Sequence, residues 1–237
     1  MVKNIIAVVL GLSCAIVAFA QTGETKEPRP RSIAVRGVGV VMSAPDQVRV
    51  TVQVNTRAES ASSAMTLAST RTRDILAILK SYGIDDKNIQ TSRVSVSAIL
   101  DYQRNIQPPP IIGYTGTNEF SVLFKGELMK KVGDFMDKAV AAGASGFGGL
   151  YYEASKQREL ERDALKKAAD DAQARADVLA KQLGATLGKV MNISESVSGP
   201  GPIARGVMAA DMSGTSAPIM TGELAITAQV DVVFELK

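Results

Sequence analysis

Val48, Val50, Val52 and Val54 alternate with Gln47, Arg49, Thr51, Gln53 and Asn55, the period-2 pattern of a strand with one buried face. A shorter apolar run, Ile33-Ala34-Val35, opens an earlier strand, in which Gly37 and Gly39 read as a bulge or a sharp bend. The period then changes. Ala61, Ala64, Met65, Ala68, Ile75 and Leu79 recur at steps of three, four or seven, with Ser60 placed to cap and Gly83 just past the end, so Ser60 to Ser81 is an amphipathic helix. Val94, Val96, Ala98 and Leu100 alternate again as a strand. A Pro-rich loop, Gln107 to Pro110, joins it to a strand around Tyr114 to Lys125, where Phe120, Val122 and Phe124 share a face. A short helix from Glu127 to Ala142 stops at Gly143, and the Gly-rich run from Ala144 to Ala154 supplies a further strand.

Strand, helix, strand, strand, helix, strand is the split β-α-β order of ferredoxin-like folds. A long helix, about Ser155 to Leu183, follows, with Leu160, Ala164, Ala168, Ala172, Ala176, Leu179 and Leu183 as its apolar stripe. Its other face carries acid-to-base pairs such as Asp171/Arg175, the pattern of a solvated surface. Strands around Lys189 to Val197 and Leu224 to Leu236 complete the sheet. The expected class is therefore α+β: a ferredoxin-like start extended by a long helix and two strands, with helices packed on a mostly antiparallel sheet.

Between the last two strands, residues 198–222 are rich in Gly, Pro and Met and lack a period. Loops of that length inside a domain are usually functional. Apolar residues there would be a liability in water, and docking on a neighbouring subunit resolves it. Ile203, Arg205, Met208, Met212, Ile219 and Met220 are the candidate assembly residues.

Ile5 to Ala20 is almost wholly apolar, with Lys3 ahead of it and Ala18-Phe19-Ala20 at its end, which reads as a secretory signal, residues 1–20, cleaved before Gln21. At 16 residues the run is shorter than the roughly 17 to 25 a spanning helix needs. Lipidation at Cys14 is the rival processing route, though Gly11 stands where a Leu is usual. Residues 21–31 carry two prolines and form a tether, which leaves 32–237 as one domain. The chain predicted after cleavage has 237 minus 20, or 217, residues and no cysteine, hence no disulfide.

The composition narrows the chemistry. Of 237 residues 46% are hydrophobic and 22% charged, enough for a real core. Lys and Arg total 27 against 24 acids, with no basic stripe, which argues against nucleic acid as a partner. The chain has no His, so triad catalysis and His- or Cys-based zinc and copper sites lose their reagents. Gly37-Val38-Gly39 is no dinucleotide fingerprint, because Met42 holds the third glycine position and a strand follows. Met208, Met212 and Met220 could bind Cu(I), yet Met is first of all a filler of cores and contacts. Glu119, Glu153 and Glu223 are the carboxylates available to a carbohydrate-acting enzyme, and their spacing singles out no pair. No cofactor is expected.

Ile33-x-Val35-x-Gly37-x-Gly39-x-Val41, then Pro45-Asp46-x-Val48-x-Val50, central Gly113-Tyr114, Pro202-Ile203-Ala204-Arg205-Gly206, Pro218-Ile219-x-x-Gly222-Glu223 and closing Val230-x-Val232-x-Phe234-Glu235-Leu236 resemble the SIMPL domain family of YggE-like exported proteins. The resemblance runs from about residue 32 to 237. It implies a periplasmic or outer-membrane-associated protein, linked to oxidative-stress defence, and a homo-oligomer that in some members is ring-like. It carries over no catalytic residues. A non-enzymatic envelope protein is the leading expectation; a carboxylate-based carbohydrate or peptidoglycan enzyme, or a small-ligand-binding protein, is the alternative.

Overall fold

The valine alternation is realised in the first two strands of the computed structural model, which describes residues 30–103, 106–202 and 221–237. They are β1 (Ser32–Ser43) and β2 (Gln47–Ala58). Val48, Val50, Val52 and Val54 are fully buried, while Gln47, Arg49, Thr51 and Gln53 stay half-buried on the opposite face. Helix α1 (Ala61–Ser81) begins where the Ser60 hydroxyl accepts a hydrogen bond from the Ser63 N–H, and Gly83 follows its end at φ 77°. Then come β3 (Ile89–Leu100), β4 (Ile111–Lys125), α2 (Val132–Ala141), β5 (Gly146–Glu153), α3 (Gln157–Gln182), β6 (Leu187–Pro202) and β7 (Leu224–Leu236).

The chain folds as α+β, with the expected element order but two sheets in place of one. Strands β3-β4-β2-β5 form a wholly antiparallel four-stranded sheet with α1 and α2 on one face, the split β-α-β arrangement. Its core holds the β2 valines, Phe120, Phe124, Ile75, Leu79 and Phe135, with the Phe124 and Phe135 rings 5.3 Å apart. Strands β1-β7-β6 form a separate antiparallel sheet under α3, with its own core. The chain crosses between them at Asp46. Its N–H donates to the Glu153 carbonyl (3.2 Å), its carbonyl accepts from Gly126 N–H (2.9 Å), and its carboxylate accepts the Ser155 N–H (2.7 Å) and hydroxyl. Pro45 has no N–H to donate, so the ladder stops there. Burial pushes the Asp46 carboxyl up, yet the Ser155 hydrogen bonds outweigh it and hold the group below its ordinary value.

In the second core the helix side is built of alanines. Ala164, Ala168, Ala172 and Ala176 are completely buried, one per turn, against β1 and β7. A Cβ on Gly37 would lie 2.0 Å from the Ala168 carbonyl oxygen, and one on Gly39 would lie 2.1 Å from that of Ala164. The β1–β7 register runs unbroken from Ser32↔Glu235 to Ser43↔Leu224. The two glycines therefore mark no bulge: they admit the helix backbone. The buried line continues to Ala180, so Leu179, about 100° away around the helix, is 45% exposed and Leu183 is 74% exposed. Those two leucines leave the predicted stripe.

Candidate functional site

Ile203, Arg205, Met208, Met212, Ile219 and Met220 lie outside the described residues, as do Cys14 and the apolar leader. The structure places the stems of their segment. Pro202 pairs with Leu224 and Gly201 with Ala225, while Ser43 pairs with Leu224 from the other side. The segment thus springs from one end of the three-stranded sheet, beside the Asp46 crossing.

That sheet has two unlike edges. Asp171 of α3 accepts the Val38 N–H at 2.9 Å and the Arg175 Nε–H at 2.9 Å, and the Lys167 ammonium donates to the Val40 carbonyl at 3.2 Å. The Val38 N–H, then Arg175, holds the Asp171 carboxyl below its ordinary value. Val38 and Val40 turn their backbone groups the same way, away from β7, so α3 caps the middle of the outer edge of β1 at these two positions. On the other side α3 crosses β1 and β7 and touches β6 only at its margin, leaving most of that strand exposed. A helix about 10 Å wide spans two strands at about 4.8 Å spacing and not three. Val190, Met191 and Ile193 are accordingly 44–60% exposed. Between α3 and β6 lies a groove of about 330 Å³, lined by Leu165, Ala169, Val190, Ile193, Val232 and Phe234 among others.

The four-stranded sheet presents its bare face as a hydrogen-bonded polar layer. Glu153 accepts from Arg49 (2.9 and 3.3 Å) and from Gln47 (3.3 Å). Glu119 accepts from Gln53 (3.2 Å) and Ser92 (3.0 Å). The register puts Glu119 opposite Gln53 and Glu153 opposite Gln47, six residues apart on β2, or about 20 Å at ~3.3 Å per residue. Paired glycosidase carboxylates need no more than about 9.5 Å. Glu223 stands at the head of β7 in the other sheet. Glu119 and Glu153 are not brought together, and both accept hydrogen bonds from fixed neighbours. Among the described residues no group of three or more His, Cys, Asp or Glu could hold a metal ion.

One feature escaped the sequence pattern. Strands β3 and β4 continue past the end of β2, whose last residue Ala58 pairs with Tyr114, so Ile99, Leu100 and Ile111–Gly113 form an arm with no strand beside it. Ile111, Ile112 and Tyr102 are 53%, 58% and 75% exposed. The signal was Ile99-Leu100 and Ile111-Ile112 flanking the proline run, apolar on both sides of a loop. Elsewhere Tyr82, Asp134 and Lys138 form a clamp between α1 and α2: the Tyr82 hydroxyl and the Lys138 ammonium both donate to Asp134.

No helix among the described residues is long and apolar enough to cross a membrane. Residues 33–234 match the model of a family described as SIMPL, a protein of unknown function (DUF541). The chain is also 32% identical, over 231 aligned residues, to the "26 kDa periplasmic immunogenic protein" of Brucella melitensis biotype 1, with 94% of this chain and 91% of that protein covered. The protein of the same description from Brucella abortus strain S19 matches at the same identity and coverage.

Proposed function

Because the chain belongs to the SIMPL family, we propose that it is an exported, non-enzymatic protein of the periplasm that assembles with copies of itself in the cell envelope. The observation that carries the reading is apolar surface left outside two complete cores: the β3–β4 arm, the β6 face, and Val178, Leu179 and Leu183 of α3. Exposed apolar clusters of this kind mark interaction surfaces. The secretory pattern of residues 1–20 and the periplasmic description of the relatives support export. The role is protective or scaffolding. Any part in oxidative-stress defence uses neither an imidazole nor a thiol of the domain, and an indirect, structural role in the envelope is the better physical reading, because the chain has no His and its one Cys is Cys14, within the predicted leader.

The test is the light-scattering mass of the exported protein across dilution, with its N-terminus read by mass spectrometry. An assembly that persists on dilution and begins at Gln21 is the expected result. A monomer at every concentration overturns self-assembly. It would direct attention to small ligands and to the apolar groove of about 560 Å³ between β1 and α3, lined by Val35, Val178 and Leu179 and flanked by Arg36 and Arg175.

A further inference from the structure

The outer edge of β1 is capped over only part of its length. The Leu236 N–H donates to the Arg31 carbonyl at 2.8 Å, one step before the Ser32↔Glu235 pair, so the odd-numbered residues of β1 turn their backbone groups to β7 and Ala34, Arg36, Val38 and Val40 turn theirs outward. Helix α3 takes up the Val38 N–H and the Val40 carbonyl. Among the described residues nothing accepts from the N–H groups of Ala34 and Arg36 or donates to their carbonyls. Four strand-edge groups are left free in a row.

They border the groove of about 560 Å³ between β1 and α3. Its far wall is the outer flank of the helix, Ala174, Val178 and Leu179, and the last two belong to neither core and are 61% and 45% exposed. An acyl chain would cover that wall but leave four buried backbone groups without partners, a costly arrangement. An extended peptide satisfies both sides: its backbone pairs with Ala34 and Arg36, and every second side chain lies against α3. The edge also sets a length. Asp171 and Lys167 bar a strand from Val38 onward, so the free stretch is Ser32–Arg36, or ~17 Å of extended chain. Charge adds a further constraint. Asp231 engages Arg36 through two of its nitrogens, whereas Arg175 gives only its Nε–H to Asp171 and keeps its terminal N–H groups for a carboxylate.

We propose that this groove binds a short extended peptide of another protein, added to the outer edge of β1 along Ser32–Arg36, with alternate apolar side chains against Val178 and Leu179 and a carboxylate on Arg175. The chain's own tether lacks that chemistry, because Gln21 to Glu27 offers no apolar side chain to the helix. The stems of 203–220 stand at the opposite end of β1, beside Ser43. A full-length strand is stopped at Val38, and a peptide of about five residues is not. The inference does not depend on self-assembly.

The experiment selects a displayed library of random heptapeptides with free C-termini on the exported protein, then measures the selected peptides, fluorescently labelled, against the parent and two variants. Ala34→Pro deletes an outward N–H and puts the proline ring in its place while leaving the β7 ladder whole, as an edge strand tolerates. Val178→Glu charges the apolar wall at a side chain that is already mostly exposed. The expected peptides are apolar at alternate positions, slow amide hydrogen exchange in the segment 32–36, and bind each variant about tenfold or more weakly, with circular dichroism unchanged. Their amidated forms tell the two carboxylate sources apart: a loss of binding assigns Arg175 to the C-terminus, and retained binding by peptides rich in Asp or Glu assigns it to a side chain. No enrichment on the parent would overturn the proposal. So would peptides that bind both variants as tightly as the parent, since their site then lies elsewhere. An oligomer that dissociates in Ala34→Pro, with no peptide selected, would show a second copy in the groove and overturn it as well.

Discussion

Gly37→Ala tests the packing on which the second core depends. The new Cβ would stand 2.0 Å from the Ala168 carbonyl oxygen, 2.5 Å from the Ala172 nitrogen and 2.8 Å from the Ala172 Cβ. A carbon–oxygen contact relaxes at about 3.3 Å, so α3 and β1 must part by roughly 1.3 Å. Two of the three obstacles are helix backbone, which no rotamer change can move aside. Overpacking of this kind costs about 1–3 kcal/mol, while the stiffer unfolded chain returns about 0.4–1 kcal/mol. The net is a loss of about 1–2 kcal/mol, or roughly 2–8 °C in thermal midpoint for a chain of this size. Gly39→Ala meets the same wall one turn away, 2.1 Å from the Ala164 oxygen and 2.5 Å from the Ala168 nitrogen. One displacement of the helix relieves both clashes, so the double variant should lose less than the sum. Gly199→Ala is the control, since nothing lies within 4 Å of its Cβ position. The assay is urea and thermal unfolding by far-UV circular dichroism at one fixed protein concentration, because association shifts the midpoint. A Gly37→Ala midpoint at or above the parent would refute the close-approach argument. Strict additivity of the two glycine variants would refute the single helix displacement.

Asp46→Ala should destabilise the protein at pH 7, and the gap from the parent should close as pH falls below about 4. A carboxyl held below its ordinary value contributes stability above its unfolded pKa and loses it on protonation in the folded state; a gap that stays constant into acid would rule out the Ser155 tie as the cause. Two buried threonines should respond in opposite senses. Thr56 Oγ1 donates to the Ala64 carbonyl at 2.7 Å, so Thr56→Val should cost about 1–2 kcal/mol in urea unfolding, whereas Thr72 Oγ1 is buried with no partner, so Thr72→Val should be neutral or gain about 1 kcal/mol. The reverse order would contradict the hydrogen-bond assignment.

Alternation located β2, β3, β4 and β7, and helical period located α1 and α3, because most of these elements bury one face against a single layer, whereas β1 and β5 were read from apolar and Gly-rich runs. The division into two sheets was not legible. It depends on where a ladder stops, and Pro45-Asp46 reads as an ordinary turn until Asp46 is seen bonded to Glu153, Gly126 and Ser155. The Gly37–Gly39 spacing was visible, but its cause lay some 125 to 135 residues away in the Ala168 and Ala164 carbonyls, a pairing no local pattern contains. The stripe of α3 went astray at Leu179 for a related reason: a leucine looks like core, and only the straight run of alanines to Ala180 shows which side the sheet occupies. The apolar candidate segment 203–220 was picked from composition, and the exposed arm was passed over because prolines mask a strand continuing on either side.

The capped edge of β1 limits what this molecule can polymerise into. A sheet grows by adding strands to free backbone groups, and here one flank is occupied by Asp171 and Lys167 of the chain's own helix. Among the described residues no side chain caps the opposite flank, β6, in this way. If two copies meet there, the sheet between them has six strands and ends in a helix-stoppered edge on both sides. Backbone pairing through this sheet therefore stops at a pair, and larger assemblies must use other surfaces of the molecule. In this sheet the helix is an internal chain terminator, placed on the strand that would otherwise offer a second edge for growth.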